Sequence, residues 1–344
     1  MYIYIMNLTI TAKHYQLPLR HPFTISRYTV ETQSTVIVSM SDGEFTGYGE
    51  ATVNPYYHST VEKIESSIKK VKSIIEASDL KHPQEFWLDI ESHLRDDYFT
   101  LCSIDCAYWD LYAKIHKRTL RSYFAVESKQ LLLTNYTIGI DSIENMKAKI
   151  LEKPWPIYKI KLGTEQDVEI IKSLRKITDS VFRIDANASW TAEETLINIE
   201  DLKSLNVEFI EQPLKADDWQ GMKLLKEKSE LPIIADESCQ RLEDVDLCAD
   251  VFHGINIKLM KCGGITPALK MIEKAREHTM LVMAGCMTES SIGISNLTQL
   301  ASLLDYIDAD GAMLLKKDIA KGVHFESGKI VFSQANGSGT KMLK

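Results

Sequence analysis

The sequence predicts an α/β fold: a (β/α)8-type barrel whose last helix is missing or reduced, preceded by a smaller α+β domain. Three observations predict it. Eight short apolar runs, "NYTIGI", "IYKIKL", "VFRIDA", "VEFIEQ", "PIIADE", "GINIKL", "TMLVMAG" and "LLDYIDAD", alternate with helical stretches. Their ends, at Thr137, Lys161, Asp185, Glu211, Asp236, Lys258, Met283 and Asp308, are 24, 24, 26, 25, 22, 25 and 25 residues apart, the length that a strand, a loop and a helix take together. The first third lacks this beat and reads instead as a sheet followed by helices.

In chain order, "MYIYIMNLTITAKHYQLPLR" alternates like a strand and lacks a basic stretch before its apolar part, so it reads as structure rather than a signal peptide. "STVIVSMSDGEFTGYGEAT" reads as two strands around the turn Ser41-Asp42-Gly43. "STVEKIESSIKKVKSIIEAS" and "SIDCAYWDLYAKIHKRTL" carry apolar residues at helical spacing. These place the α+β domain at residues 1–125 and the barrel at 126–317, with 318–344 packing back on the first domain. Little chain follows "DYIDAD", so the eighth helix has little room.

Composition excludes other classes. The 344 residues are 44% hydrophobic and 26% charged, with a formal net charge of −8. That balance lacks the basic excess that displaces counterions from nucleic acid. No run of 18 apolar residues suggests a membrane span. The six cysteines show no CxxC pairing and read as reduced thiols of a cytoplasmic protein.

In a barrel of this kind, the C-terminal strand ends line the mouth that carries the active site. Asp185, Glu211 and Asp236 come from consecutive strand ends. Any one of them could cap a following helix. Three converging carboxylates repel unless a hard divalent cation, magnesium or manganese, neutralises them. Lys161 lies one strand before these acids and Lys258 one strand after. Such a pair can take a proton from one side of a metal-held substrate and return one from the other. Lys159, on the same face as Lys161, brings a second positive charge that favours the neutral amine. Proton removal beside a carboxylate gives an enediolate. Reprotonation on the opposite face is racemisation or epimerisation, whereas loss of a leaving group is a lyase reaction.

These residues resemble the enolase superfamily, in its muconate-lactonizing subgroup. "KIKLG", "DANASW", "EQP", "ADES" and "NIKLMKCGG" appear in that order, with "YGEA" and the "SIDCAYWDLYAK" helix before them. The resemblance implies an α+β capping domain over a modified TIM barrel, (β/α)7β. It implies Mg²⁺ on Asp185, Glu211 and Asp236, Lys161 and Lys258 as the acid–base pair, and Asn187 and Glu237 supporting the ligands. Lys258 is preferred to Lys261 because it ends the strand. Asp308 and Asp310 in "DYIDADG" look like the pair with which dipeptide epimerases bind a substrate's ammonium group. Arg27, in "HPFTISRYTVE", matches a position where some of those enzymes hold the side chain of glutamate, in a loop that closes over the substrate. Thr137 and "MTESSIG" are expected to line the pocket, and Trp190 and Met283 to pack. The expected activity is epimerisation of a dipeptide such as Ala-Glu. An N-acylamino acid racemase, o-succinylbenzoate synthase or muconate cycloisomerase on the same scaffold is the alternative, and family members are often homo-oligomers.

Overall fold

The computed structural model describes residues 8–25, 28–124 and 132–344. Strands β1 (Thr9–Thr24), β2 (Thr29–Ser41) and β3 (Thr46–Thr52) form an antiparallel sheet in that order. The Ser41-Asp42-Gly43 turn forms as the sequence predicts. Asp42 Oδ1 accepts from the N–H groups of Glu44 and Phe45, and Gly43 takes a φ of 96°. "HPFTISRYTVE", expected as a loop, is largely the end of a β-hairpin: Phe23 pairs with Val30 and Thr24 with Thr29. Its β-branched residues favour extended backbone.

Helices α1 (Val61–Glu76), α2 (Pro83–Glu91) and α3 (Tyr98–Ile115) follow. Thr60 caps α1 by accepting from Lys63 N–H, and Asp97 caps α3 by accepting from Thr100 N–H. The periodicity misses α2, which is only nine residues long and buries only Pro83, Phe86 and Ile90. Helix α3 is buried around most of its circumference, because it lies between the sheet and the barrel. It approaches β3 so closely that only glycine fits at two positions. A Cβ on Gly47 would meet the Ala107 carbonyl oxygen at 2.1 Å, and one on Gly49 the Ser103 carbonyl oxygen at 1.9 Å. Gly49→Ala is therefore expected to cost about 1–3 kcal/mol or more through forced separation of β3 from α3. A thermal melt checks this, and an unchanged melting temperature would refute the tight contact.

The barrel strands are β4 (Tyr136–Ile138), β5 (Ile157–Lys161), β6 (Val181–Asp185), β7 (Val207–Glu211), β8 (Ile233–Ala235), β9 (Gly254–Ile257), β10 (Leu281–Gly285) and β11 (Tyr306–Asp308). All are parallel, each paired with its neighbours in sequence. Thr134 bridges Ile307 across the closing seam. Helices α4 (Ile143–Glu152), α5 (Asp167–Arg175), α6 (Ala192–Leu202), α7 (Trp219–Lys228) and α8 (Asp244–Val251) follow β4 to β8 in turn. The short α9 (Leu259–Cys262) and α10 (Ile265–Glu277) follow β9, and α11 (Ser291–Thr298) follows β10. After β11 the only helical element among the described residues is the 3-10 turn Gly311–Leu314, followed by short strands, so the barrel is (β/α)7β. The eight predicted strands are all present. Their ends fall within one residue of the expected positions except at β10, which continues past Met283 to Gly285, and Met283 is buried against Phe209 and Ile234 inside the barrel.

Cap and barrel are joined through polar contacts. Glu50, in "YGEA", is buried and accepts from Ser290 N–H and Oγ, from Gly293 N–H and from Thr35 Oγ1. Its carboxylate thereby caps α11. Asp105 on α3 accepts from Thr266 N–H and Oγ1 at the start of α10. The C-terminal segment touches both domains: Ser338 N–H donates to Asp110 of α3, and the Gly328 carbonyl accepts from Thr134 N–H at the start of the barrel. No helix among the described residues is long and apolar enough to cross a membrane.

Candidate active site

Parallel pairing puts the C-terminal strand ends at one rim, and register aligns them. Lys161 lies beside Asp185, and Asp185 beside Glu211. Asp236 and Lys258 come immediately after β8 and β9. A cleft of about 810 Å³, counting its open mouth, lies over this rim and under the cap. Lys159, Lys161, Asp236, Lys258, Asp308 and Asp310 line it, as do Thr137, Asn187, Glu237, Cys286, Met287 and Thr288. The cap contributes Tyr57, and the β1–β2 hairpin contributes Phe23, Ile25, Tyr28 and Val30. Arg27 lies outside the described residues.

Carboxylate oxygens of Asp185, Glu211 and Asp236 come within 4.8 Å of one another, and all three residues are buried. The lysines flank them. Lys161 Nζ is 2.5 Å from Asp185 Oδ2, and Lys258 Nζ is 2.7 Å from Asp236 Oδ2. Each lysine thus touches a different outer member of the triad. Lys159 sits centrally, 3.1 Å from Asp185, 2.7 Å from Glu211 and 3.0 Å from Asp308. Burial opposes its charge, but Asp308, Glu211 and Asp185 outweigh burial and hold the ammonium above the usual lysine range. Burial likewise opposes the charge of Lys258, and Asp236 more than compensates.

The three acids differ. Lys161 and Lys159 overcome burial and bring Asp185 down to about 2. Lys258 and Lys261 hold Asp236 well below the usual range against the same burial. Burial, then the charge of Asp185, pushes Glu211 up to about 7. Glu211 Oε1 accepts from Asn256 Nδ2 at 2.8 Å, but Oε2 has no aligned donor, so its 2.7 Å approach to Lys159 is an ion pair without a directed hydrogen bond. Three hard oxygen donors, one with an unsatisfied buried oxygen, fit a hard divalent cation such as Mg²⁺.

Asp308 accepts from Asn135 Nδ2 at 2.7 Å and from Lys159 at 3.0 Å. Asp310 Oδ2 accepts from Thr137 N–H at 2.5 Å, while Oδ1 lies 3.9 Å from Cys286 Sγ. Burial and the Asp308 charge push Asp310 up to about 8, which opposes its ionisation, and a cation arriving beside it would bring that value down. Asn187, at a left-handed φ of 47°, donates its backbone N–H to Asp185 Oδ1. Glu237 forms part of the cleft wall beside Asp236.

Sequence reasoning missed the residues that hold these groups. Gln212, in "EQP", accepts from the N–H groups of Asp236 and Ser238. Asn256 reaches Glu211, and Arg183 Nη1 donates to Asn135 Oδ1 from the barrel floor. A polar residue in an interior barrel strand is the signal that could have found Arg183 and Asn256.

Comparison with known proteins agrees with this architecture. Residues 7–123 match the family described as mandelate racemase / muconate lactonizing enzyme, N-terminal domain, and residues 141–343 match the family described as enolase C-terminal domain-like. The chain is 50% identical over 336 residues to an L-Ala-D/L-amino acid epimerase of Maribacter sp., covering 97% of this chain and 99% of that protein. The substrate-liganded L-Ala-D/L-Glu epimerase from Bacillus subtilis superposes with a TM-score of 0.92 at 28% identity, covering 97% of this chain and 99% of that one. A dipeptide epimerase from Enterococcus faecalis, complexed with Mg and the dipeptide L-Leu-L-Tyr, superposes with a TM-score of 0.91 at 28% identity and the same coverage. With both of its halves matched and 97% of its length shared with such a relative, the chain belongs to the mandelate racemase / muconate lactonizing enzyme family of the enolase superfamily.

Proposed function

We propose that this protein is a Mg²⁺-dependent dipeptide epimerase that inverts the α-carbon of the C-terminal residue by a 1,1-proton transfer through an enediolate. It is an isomerase acting on amino acid derivatives, as its relatives are named. One observation carries the reading: a buried carboxylate triad has one lysine on each outer member, Lys161 on Asp185 and Lys258 on Asp236. Mg²⁺ held by Asp185, Glu211 and Asp236 would bind the substrate carboxylate and stabilise the charge that develops as the α-proton leaves.

The lysines do the proton work. One, as a free amine, takes the α-proton. The other, as an ammonium, delivers a proton to the opposite face, and the substrate's configuration selects which is which. Lys159 stays charged among Asp185, Glu211 and Asp308, and balances the carboxylates beneath the substrate. Asp308 and Asp310 bind the ammonium end. The same reading keeps residues 1–125 as the cap and 126–317 as the barrel, and places the enzyme, with six free thiols, in a reducing cytoplasm. The substrate is Ala-Glu or a similar dipeptide. The described hairpin wall of Phe23, Ile25, Tyr28 and Val30 is uncharged, so preference for an acidic side chain rests on Arg27.

The amino-end assignment is tested with Asp310→Asn. Losing a charge-assisted hydrogen bond of roughly 1.5–3 kcal/mol should cost about ten- to a hundred-fold in kcat/KM on dipeptides. Turnover of an N-acyl amino acid, which has no ammonium, should not fall. Good N-acyl turnover with dipeptide turnover insensitive to the substitution would favour an N-acylamino acid racemase instead.

A further inference from the structure

We propose that Lys261 is a positioning residue that sets Asp236 for a divalent cation and takes no part in proton transfer; this rests on the reading that Asp236 binds the ion. Lys261 sits on α9, three residues beyond Lys258, and the two side chains lie in different surroundings. Lys258 faces the cleft with 10% of its side chain exposed, while the Lys261 side chain is 0% exposed and does not line the cleft. Lys261 Nζ lies 2.5 Å from the Asp236 carbonyl oxygen, 2.6 Å from Asp236 Oδ1, 2.8 Å from the Cys239 carbonyl oxygen and 3.2 Å from the Asn256 carbonyl oxygen. An ammonium has three N–H donors. Four oxygens use all of them, and none is left for a substrate.

The contacts converge on one residue. Lys261 holds Asp236 by its carbonyl and by one carboxylate oxygen, while Gln212 Oε1 holds its N–H at 2.9 Å. The backbone of Asp236 is therefore fixed from both sides. Asn256, which gives its carbonyl to Lys261, sends its side chain to Glu211 at 2.8 Å. One buried ammonium is thus linked to two of the three acids. A carboxylate already oriented by such partners loses less freedom when it takes up an ion.

Charge alone predicts the opposite effect. An ammonium 2.6 Å from Asp236 Oδ1 repels an arriving cation, so if repulsion dominated, removing it would tighten binding. The sign of the change therefore separates the two. The test titrates the full-length protein with Mn²⁺ in the absence of substrate, reading free Mn²⁺ by electron paramagnetic resonance and Mg²⁺ by competition. Lys261→Met should raise the dissociation constant at least about tenfold, and saturating Mg²⁺ should recover much of its turnover. Lys258→Met should recover no turnover at any Mg²⁺ concentration. Lys261→Gln, which keeps a donor of similar length, should shift affinity in the same direction and carries the test if the Met variant folds poorly. Unchanged or tighter Mn²⁺ binding in a folded Lys261 variant would overturn the proposal. Wild-type protein that binds no Mn²⁺ would instead overturn the underlying metal assignment.

Discussion

Lys161→Ala and Lys258→Ala are each expected to abolish epimerisation, at a cost of roughly 10²–10⁴-fold or more, the range that a positioned acid or base supplies. The two lysines belong to strand ends on either side of the triad and touch different acids, so neither can serve both faces of one carbon. This gives a signature beyond lost activity. In deuterated water, the lysine left in each variant still faces one hydrogen, so each variant should exchange the α-proton of one epimer without inverting it, and the two variants should exchange opposite epimers. Mass spectrometry and chiral separation read both quantities. Full turnover in either variant would end the two-lysine mechanism, and exchange of the same epimer by both would place the two amines on one face.

The readable parts of the molecule were those with a period or a terminal position. The barrel was legible because each βα unit repeats at nearly constant length, and the triad because Asp185, Glu211 and Asp236 end successive units. Other features were set by partners far away in sequence. Asn135 gains its meaning from Asp308, 173 residues later, and Glu50 from Ser290, 240 residues later. Arg183 stands in a barrel strand, where local pattern favours an apolar residue. Inside the barrel, its guanidinium is paired with Glu208 and lies 5.4 and 5.3 Å from the Phe209 and Tyr306 ring centroids. The end of β10 was misplaced at Met283 because "LVMAG" is apolar or small throughout, leaving no polar residue to mark the rim. Lys161 and Lys258 could be proposed from spacing alone. The preference for Lys258 over Lys261 rests in the sequence on its place at the strand end, whereas the different depth of the two ammonium groups is visible only in the fold.

Glu211→Gln is expected to separate function from stability. Glu211 is fully buried, its carboxyl is pushed up to about 7 by burial and by Asp185, and its Oε2 lacks an aligned donor. In the fold alone, this charge is a burden, because desolvating a carboxylate is costly. Glutamine keeps the shape and can still accept the Asn256 N–H at Oε1. It removes the charge that a hard cation needs and turns an amide toward Lys159, whose remaining partners Asp185 and Asp308 lie at 3.1 and 3.0 Å. Turnover should fall by about 10³-fold or more and Mn²⁺ affinity by at least about a hundredfold, while the melting temperature in chelator stays within a few degrees of wild type, since an isosteric change relieves one buried charge and loses one ion pair. Wild-type protein in the same chelator should lose turnover and regain it with Mg²⁺. Retained turnover in Glu211→Gln would remove Glu211 from the metal site, whereas a collapse of the melting temperature would make its charge structural.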